Sequence, residues 1–405
     1  MKLLPKVHKL TDTASPSNLN KLTGRPIITA HSWTTSNPSR LLGTELDKII
    51  LQLKDIFKER DIPFPLIYNS TDLLDLLHDF YVEDIDKFTL TTFDFTSLYT
   101  NISHSDTIHA IITSCTLLNL PAFYRDFLLN LNNFINDRNF FRTGQDIYQQ
   151  TKGVAMGSYH SRQIADLVLL LSELTFFSNY DTTGLFIFCR YIDDGFMLTD
   201  NNHTTSHITH LSSTYPTQIP VTFTTNSHST NYLDLTISLN YHTIIYHKIH
   251  HHVYQKPHHK YMYPHFSSNH PQHIFTGIIK TETVRYSRLS KTKEDYNFIH
   301  QLFTLRLTAL DYPNKLITDN SFPWLPYYNH KRRRLTNKTK PCKPTIYYRS
   351  KYNKRARTDK IVRHILHKYH NMHIPKLTKA YCNTTKLHTM LLTNKLLHSK
   401  ISHSQ

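Results

Sequence analysis

The tetrapeptide Tyr191-Ile192-Asp193-Asp194 places two carboxylates side by side between two apolar runs, residues 185–189 and 196–198. Each run has the length and composition of a short strand, so the acids are expected at the tip of a hairpin between buried strands. Two negative charges held this close repel one another unless a cation binds them. Aspartate oxygens suit Mg²⁺ or Mn²⁺. A solvated turn, which Asp favours in general, is the competing reading of the dipeptide alone.

A third acid lies upstream. Residues 88–95 alternate as a strand and carry Asp94 near its end. If that strand neighbours the 191–194 hairpin in one sheet, three carboxylates converge on one spot. Two-metal phosphoryl transfer uses such a set, one cation lowering the pKa of an attacking hydroxyl and the other stabilising the leaving oxygen. Around these strands, apolar residues recur at helical spacing from Leu46 through Ile49, Ile50, Leu53, Ile56 and Phe57. They recur again at Ile164, Leu167, Val168, Leu171 and Leu174, a stripe that reads as core packing without chemistry. Helices are also expected over residues 72–80, 105–114 and 122–134 and through most of 282–310. Further strands are expected at 221–225, 232–239 and 243–247, with a loop or hairpin holding Gly144 and Gly153. This order is neither βαβ alternation nor all-β. It predicts an α+β fold with a helical C-terminal appendage.

The chain has 405 residues, enough for two or three compact units. It has only 8 Gly, and no Gly-rich phosphate loop or dinucleotide fingerprint is found. The four cysteines, Cys115, Cys189, Cys342 and Cys382, show no paired spacing, which argues against a disulfide framework and fits a reducing compartment. There are 29 His, ten of them clustered between 242 and 273 without a zinc-ligand spacing, so compositional bias explains them better than a metal. No apolar run reaches bilayer length, so no membrane partner is expected. The formal net charge of +17 is unevenly placed: residues 331–405 hold 20 Lys and Arg against one acid, Asp359. Such a segment attracts a polyanion, nucleic acid being the commonest. The bland reading is a solvated tail, although interleaved Ile, Leu and Tyr between 361 and 397 suggest partial helix.

Blocks surrounding the three acids bring a family into view. Leu4-Pro5-Lys6-Val7-His8-Lys9 and Gly24-Arg25-Pro26-Ile27 are similar to the first two fingers blocks of reverse transcriptases. Phe93-Asp94-Phe95-Thr96-Ser97-Leu98-Tyr99-Thr100-Asn101-Ile102 resembles the first palm block. Lys152-Gly153-Val154-Ala155-Met156-Gly157-Ser158 resembles the substrate-contacting loop, and Arg190-Tyr191-Ile192-Asp193-Asp194-Gly195-Phe196 the catalytic hairpin. Tyr232-Leu233-Asp234-Leu235-Thr236-Ile237 and Tyr254-Gln255-Lys256-Pro257 are similar to the later palm and primer-grip blocks, continued by Ser268-Asn269-His270-Pro271 and Gly277-Ile278-Ile279-Lys280. Within that group the chain most resembles the Penelope-like retroelement enzymes. It departs from them at Tyr159-His160-Ser161-Arg162, where the family usually has Pro-Leu-Ser-Pro. No Gly-Ile-Tyr…Tyr-Ile-Gly endonuclease signature is found, and the chain begins almost inside the first fingers block, as a truncated element copy or an incomplete gene model would.

The resemblance implies a right-hand polymerase fold: partial fingers and the start of the palm over residues 1–90, palm over 91–265, a helical thumb over 266–330 and the basic segment over 331–405. It implies RNA-directed DNA polymerase activity, extending a DNA primer on an RNA template from dNTPs with two Mg²⁺ or Mn²⁺ ions. Asp94, Asp193 and Asp194 would be the metal ligands. Arg25, Phe95 through its backbone, Tyr99, Gly153, Met156, Gly157 and Ser158 would meet the nucleotide, with Tyr99 as a gate against a 2′-hydroxyl. Tyr191, Tyr254 and Lys256 would position primer and template. A catalytically inactive nucleic-acid-binding remnant is the alternative. Lys331-Arg332-Arg333-Arg334 fits a nuclear address.

Overall fold

In the computed structural model the hairpin and the Asp94 strand are neighbours in one sheet. The structure describes residues 2–5, 24–27, 33–78, 80–82, 84–143, 145–239, 247–256, 261–330, 346–351 and 377–382. In chain order its elements begin with the strands β1 (Lys2–Pro5) and β2 (Gly24–Ile27) and the helices α1 (Ser36–Glu59) and α2 (Ser70–His78). Strands β3 (Tyr81–Val82) and β4 (Phe88–Phe95) follow, then helices α3 (Leu98–Asn101), α4 (His104–Leu117) and α5 (Ala122–Asp137). A hairpin of β5 (Phe140–Thr143) and β6 (Asp146–Gln149) leads to α6 (Ser161–Asn179). Next come β7 (Leu185–Tyr191), β8 (Asp194–Asp200), α7 (Thr204–Thr214) and β9 (Val221–Asn226). The first unit ends with β10 (Ser229–Tyr232), β11 (Leu235–Ser238), β12 (His247–Lys248) and β13 (His250–Val253). Helices α8 (Gln272–Leu289), α9 (Lys293–Thr308) and α10 (Asn314–Asn320) precede β14 (Ile346–Lys351) and β15 (Leu377–Cys382). Helices mixed with mainly antiparallel sheets, without βαβ alternation, make the fold α+β as expected.

The central sheet runs β7-β8-β4-β9, every pair antiparallel. Phe93, Phe95, Phe188 and Met197 face the helices and share one buried cluster with Leu42, Leu46, Ile49, Leu53 and Phe57 of α1 and Ile164, Leu167, Val168 and Leu174 of α6. Each such side chain, removed from water, contributes roughly 1.5–3 kcal/mol. A second sheet, β10-β11-β13, meets the central one where the rings of Phe196 and Tyr232 lie 5.4 Å apart. Gly195 shows how tightly the strands are fitted, because a Cβ there would fall 2.0 Å from the Phe93 ring.

Two expectations change. Residues 232–239 form no single strand: the chain turns at Leu233, which takes φ 53°, and β10 pairs back on β11. The expected strand at 243–247 falls almost wholly outside the described residues. In the basic segment, residues 377–382 are a strand paired in parallel with β14, not helix; the rest of that segment lies outside the described residues. The stretch 282–310 is helical with one break, at Ser290–Thr292, where Thr292 and Asp295 form a capping box for α9.

The chain divides into two compact units, Met1–Lys260 and Tyr261–Gln405. In the second, α8, α9 and α10 enclose Phe275, Ile279, Tyr286, Phe303, Leu307 and Ile317. The segment after α10 folds back on α8, where Ser287 Oγ donates to Pro323 O and accepts from Leu325 N–H.

Candidate active site

The β4–β8 register makes Asp94 the direct partner of Asp194, and Asp193 is the second residue of the two-residue turn joining β7 to β8. Residues directly opposite on antiparallel strands point to the same face, where like charges are destabilising. Asp94 and Asp194 are exposed and Asp193 is half-buried. Backbone pairing therefore gathers the three acids as the sequence predicted. The side chains are not closed into a ligand cluster, since their oxygens do not all lie within 4.8 Å of one another. Hard carboxylate oxygens gathered at one sheet edge fit Mg²⁺ or Mn²⁺.

The backbone of this turn is pinned at three successive carbonyls. Ile192 O accepts from Arg190 Nη1 at 2.8 Å, Asp193 O from Phe95 N–H at 3.2 Å, and Asp194 O from the Tyr232 hydroxyl at 3.0 Å. Burial pushes the Tyr232 phenol well above its ordinary pKa, so it stays a donor. Ile192 takes φ 56°, and it alone of the two turn residues is left-handed. That is the pattern of a type II′ hairpin turn, whose first position ordinarily goes to Gly. A β-branched residue there is strained.

The apolar stripe on α6 packs in the core as expected, but two acids lie buried between its positions. Asp166 and Glu173, two turns apart on α6, are buried and grip Arg190, which is itself fully buried. Arg190 Nε and Nη2 bond Glu173, the latter at 2.9 Å, and Nη1 lies 3.3 Å from Asp166 Oδ1. Tyr215 donates to Glu173 at 3.1 Å and Arg162 Nε to Asp166 at 3.2 Å. Desolvation pushes both carboxyl groups up, and Arg190 pulls them back. Burial opposes the Arg190 charge, but Glu173 and Asp166 outweigh it and hold the guanidinium protonated. Two acids inside an apolar helical stripe were the available signal, because buried charges need partners.

Other expected contacts fall around the acids unevenly. Tyr99, on α3, is half-buried; burial, then the charges of Asp166 and Asp193, push its phenol up to about 12. Phe95 keeps its ring away from the site, 2% exposed and packed edge-on against Tyr215, which leaves only its backbone near the acids. Its N–H is given to Asp193, and Thr96 N–H to Pro220 O, so neither amide is left for a phosphate. Gly153 is buried and lies against the chain itself; a Cβ there would lie 2.8 Å from Thr100 Cα. Val154 N–H donates to Tyr99 O at 2.6 Å, tying the two loops together. Met156 and Ser158 are half-buried and Gly157 is exposed at φ 104°.

The unusual Tyr159–Arg162 segment is firmly seated. Ser39 Oγ on α1 lies 2.8 Å from His160 Nδ1 and accepts from Tyr159 N–H at 2.9 Å, and Gly43 admits the Tyr159 carbonyl. Arg40 stacks over Tyr159 and Arg162 over Tyr68. Tyr191 is half-buried beside Asp194. Tyr254 N–H donates to Asp234 O at 2.8 Å, which places it, with exposed Lys256, beside the Leu233 turn. Arg25 is the β2 partner of Leu4; its side chain lies outside the described residues.

Residues 262–322 match a family described as an animal helix-turn-helix domain, which spans α8 to α10. No curated protein sequence is similar to the chain. Among solved structures, it is similar to telomerase from Candida albicans in complex with a fragment of telomeric RNA. The identity is 12%, with 76% of this chain and 51% of that chain covered and a TM-score of 0.48. It is also similar to the RNA-dependent RNA polymerase of a human picorbirnavirus at 12% identity, with 65% and 50% covered and a TM-score of 0.43. The chain spans about half the length of both.

Proposed function

We propose that the chain is an RNA-directed DNA polymerase of a retroelement, of the Penelope-like kind that its sequence blocks resemble. The observation that carries this reading is the register pairing Asp94 with Asp194 beside Asp193. Asp94 and Asp193 would hold two divalent cations with help from Asp194; when bound, these lower the pKa of the primer 3′-hydroxyl and stabilise the leaving pyrophosphate oxygen. The chain itself positions and discriminates. Tyr99 stands next to the acids, where a ring blocks a 2′-hydroxyl. Tyr191, Tyr254 and Lys256 direct the primer end, and Arg25 receives the triphosphate with a planar fork. The helices of residues 262–322 serve as the duplex-holding thumb, and residues 331–405 hold the phosphate backbone, with Lys331-Arg332-Arg333-Arg334 as a nuclear address.

The secure seating of residues 159–162 on α1 weighs against an inactive remnant, since the departure from Pro-Leu-Ser-Pro costs the loop no anchorage. The test is extension of a labelled DNA primer on an RNA template with Mg²⁺ or Mn²⁺. Full-length product from the chain, abolished in Asp94→Asn, is expected. Binding of the duplex without extension under either cation would establish the remnant instead.

A further inference from the structure

Arg190 lies on β7, one residue removed from the turn that bears Asp193, yet it never reaches solvent. Its five N–H donors all have acceptors: Glu173 takes two, the Asp166 carboxylate and carbonyl one each, and Ile192 O the fifth. Its backbone is held too, N–H to Pro65 O at 2.7 Å and C=O from Ile67 N–H at 3.0 Å. With Arg162 on Asp166, the group holds two cations and two carboxylates.

A buried ion network of this kind is a poor way to gain stability, because desolvation takes back most of the attraction and apolar replacements often do as well. What only this arrangement supplies is a donor fixed in place at the Ile192 carbonyl. That residue is in a conformation its β-branched side chain disfavours, so something must hold it there. We propose that Arg190, clamped by Glu173 and Asp166, is a positioning residue that holds the Ile192–Asp193 turn in the geometry that receives the cations. The proposal rests on the polymerase reading of the site. Lys cannot substitute, since a point ammonium cannot span Glu173 and Ile192 O as the planar fork does.

The experiment compares wild type, Arg190→Lys and the neutral pair Arg190→Met/Glu173→Gln, all as full chains on an RNA–DNA duplex. The amide introduced by Glu173→Gln keeps an acceptor for Tyr215. Three readouts are taken: thermal unfolding, Mn²⁺ affinity from the paramagnetic resonance of the free ion, and kcat and KM for dNTP. Both variants are expected to remain folded and bind duplex, while Mn²⁺ affinity and kcat each fall roughly 10–100-fold, the usual effect of removing a group that orients metal ligands. KM should change little. Wild-type Mn²⁺ affinity and kcat in a folded variant would overturn the positioning role. Should Arg190→Lys fail to fold, the neutral pair decides by the same readouts; unfolding of both would make the network a stability element and overturn the proposal. A wild type that binds no Mn²⁺ and extends no primer would instead remove the polymerase reading beneath it.

Discussion

His160 is 3% exposed, and burial alone lowers its pKa from 6.5 to about 4. Its Nδ1 faces Ser39 Oγ, which already accepts from Tyr159 N–H and can give its own proton to a neutral ring. A histidine whose folded pKa lies below the unfolded value binds its proton more readily when unfolded. Stability from this site is therefore complete above about pH 6.5 and declines as pH falls toward 4. A shift of about 2.5 units corresponds to about 3 kcal/mol, a large share of a typical unfolding free energy of about 5–15 kcal/mol. The assay is urea unfolding at pH 7 and pH 4.5 in a Trp324→Phe background, which leaves Trp33 as the reporter of the first unit. Wild type is compared with His160→Asn, so that titration of every other group cancels. Wild type should lose about 2–3 kcal/mol more than the variant between the two pH values. Equal losses would refute the claim that His160 is buried neutral.

Tyr99→Ala should relax discrimination between dNTP and rNTP, read from the ratio of their kcat/KM values; an unchanged ratio would remove Tyr99 as the gate. Gly195→Ala drives a methyl into the Phe93 ring, which Phe95, Phe188 and Phe223 surround at centroid distances of 6.0, 5.7 and 5.4 Å. Overpacking of this kind should cost about 1–3 kcal/mol in urea unfolding. Deleting residues 331–405 should flatten the dependence of log affinity on log salt by about 0.7–0.9 for each phosphate that the segment neutralises, measured by fluorescence anisotropy on an RNA–DNA duplex.

Periodicity found what periodicity can find. The stripe from Leu46 to Phe57 lies within α1, but α1 begins ten residues earlier, at Ser36. Its buried early positions are Ser36, Ser39, Leu42 and Gly43; the 159–160 loop lies against Ser39 and Gly43, and small residues carry no apolar signal. The β10–β11 turn escaped notice because Leu233 adopts a left-handed conformation where Gly or Asn would have announced it. The strand of Asp94 and the hairpin of Asp193 and Asp194 could each be read from sequence because such signals are local; their adjacency stood only as a condition, which the register of β4 and β8 meets. The grip of Glu173 and Asp166 on Arg190 could not, since it joins residues 17 and 24 positions apart through tertiary packing.

The close approach of Gly153 to the Tyr99–Thr100 backbone makes two parts of the site a single mechanical piece. Any side chain at 153 would lever α3 outward and carry the Tyr99 ring with it. If Tyr99 is the gate of the proposed polymerase, its choice of sugar would be adjustable from position 153, through the backbone on which the gate stands.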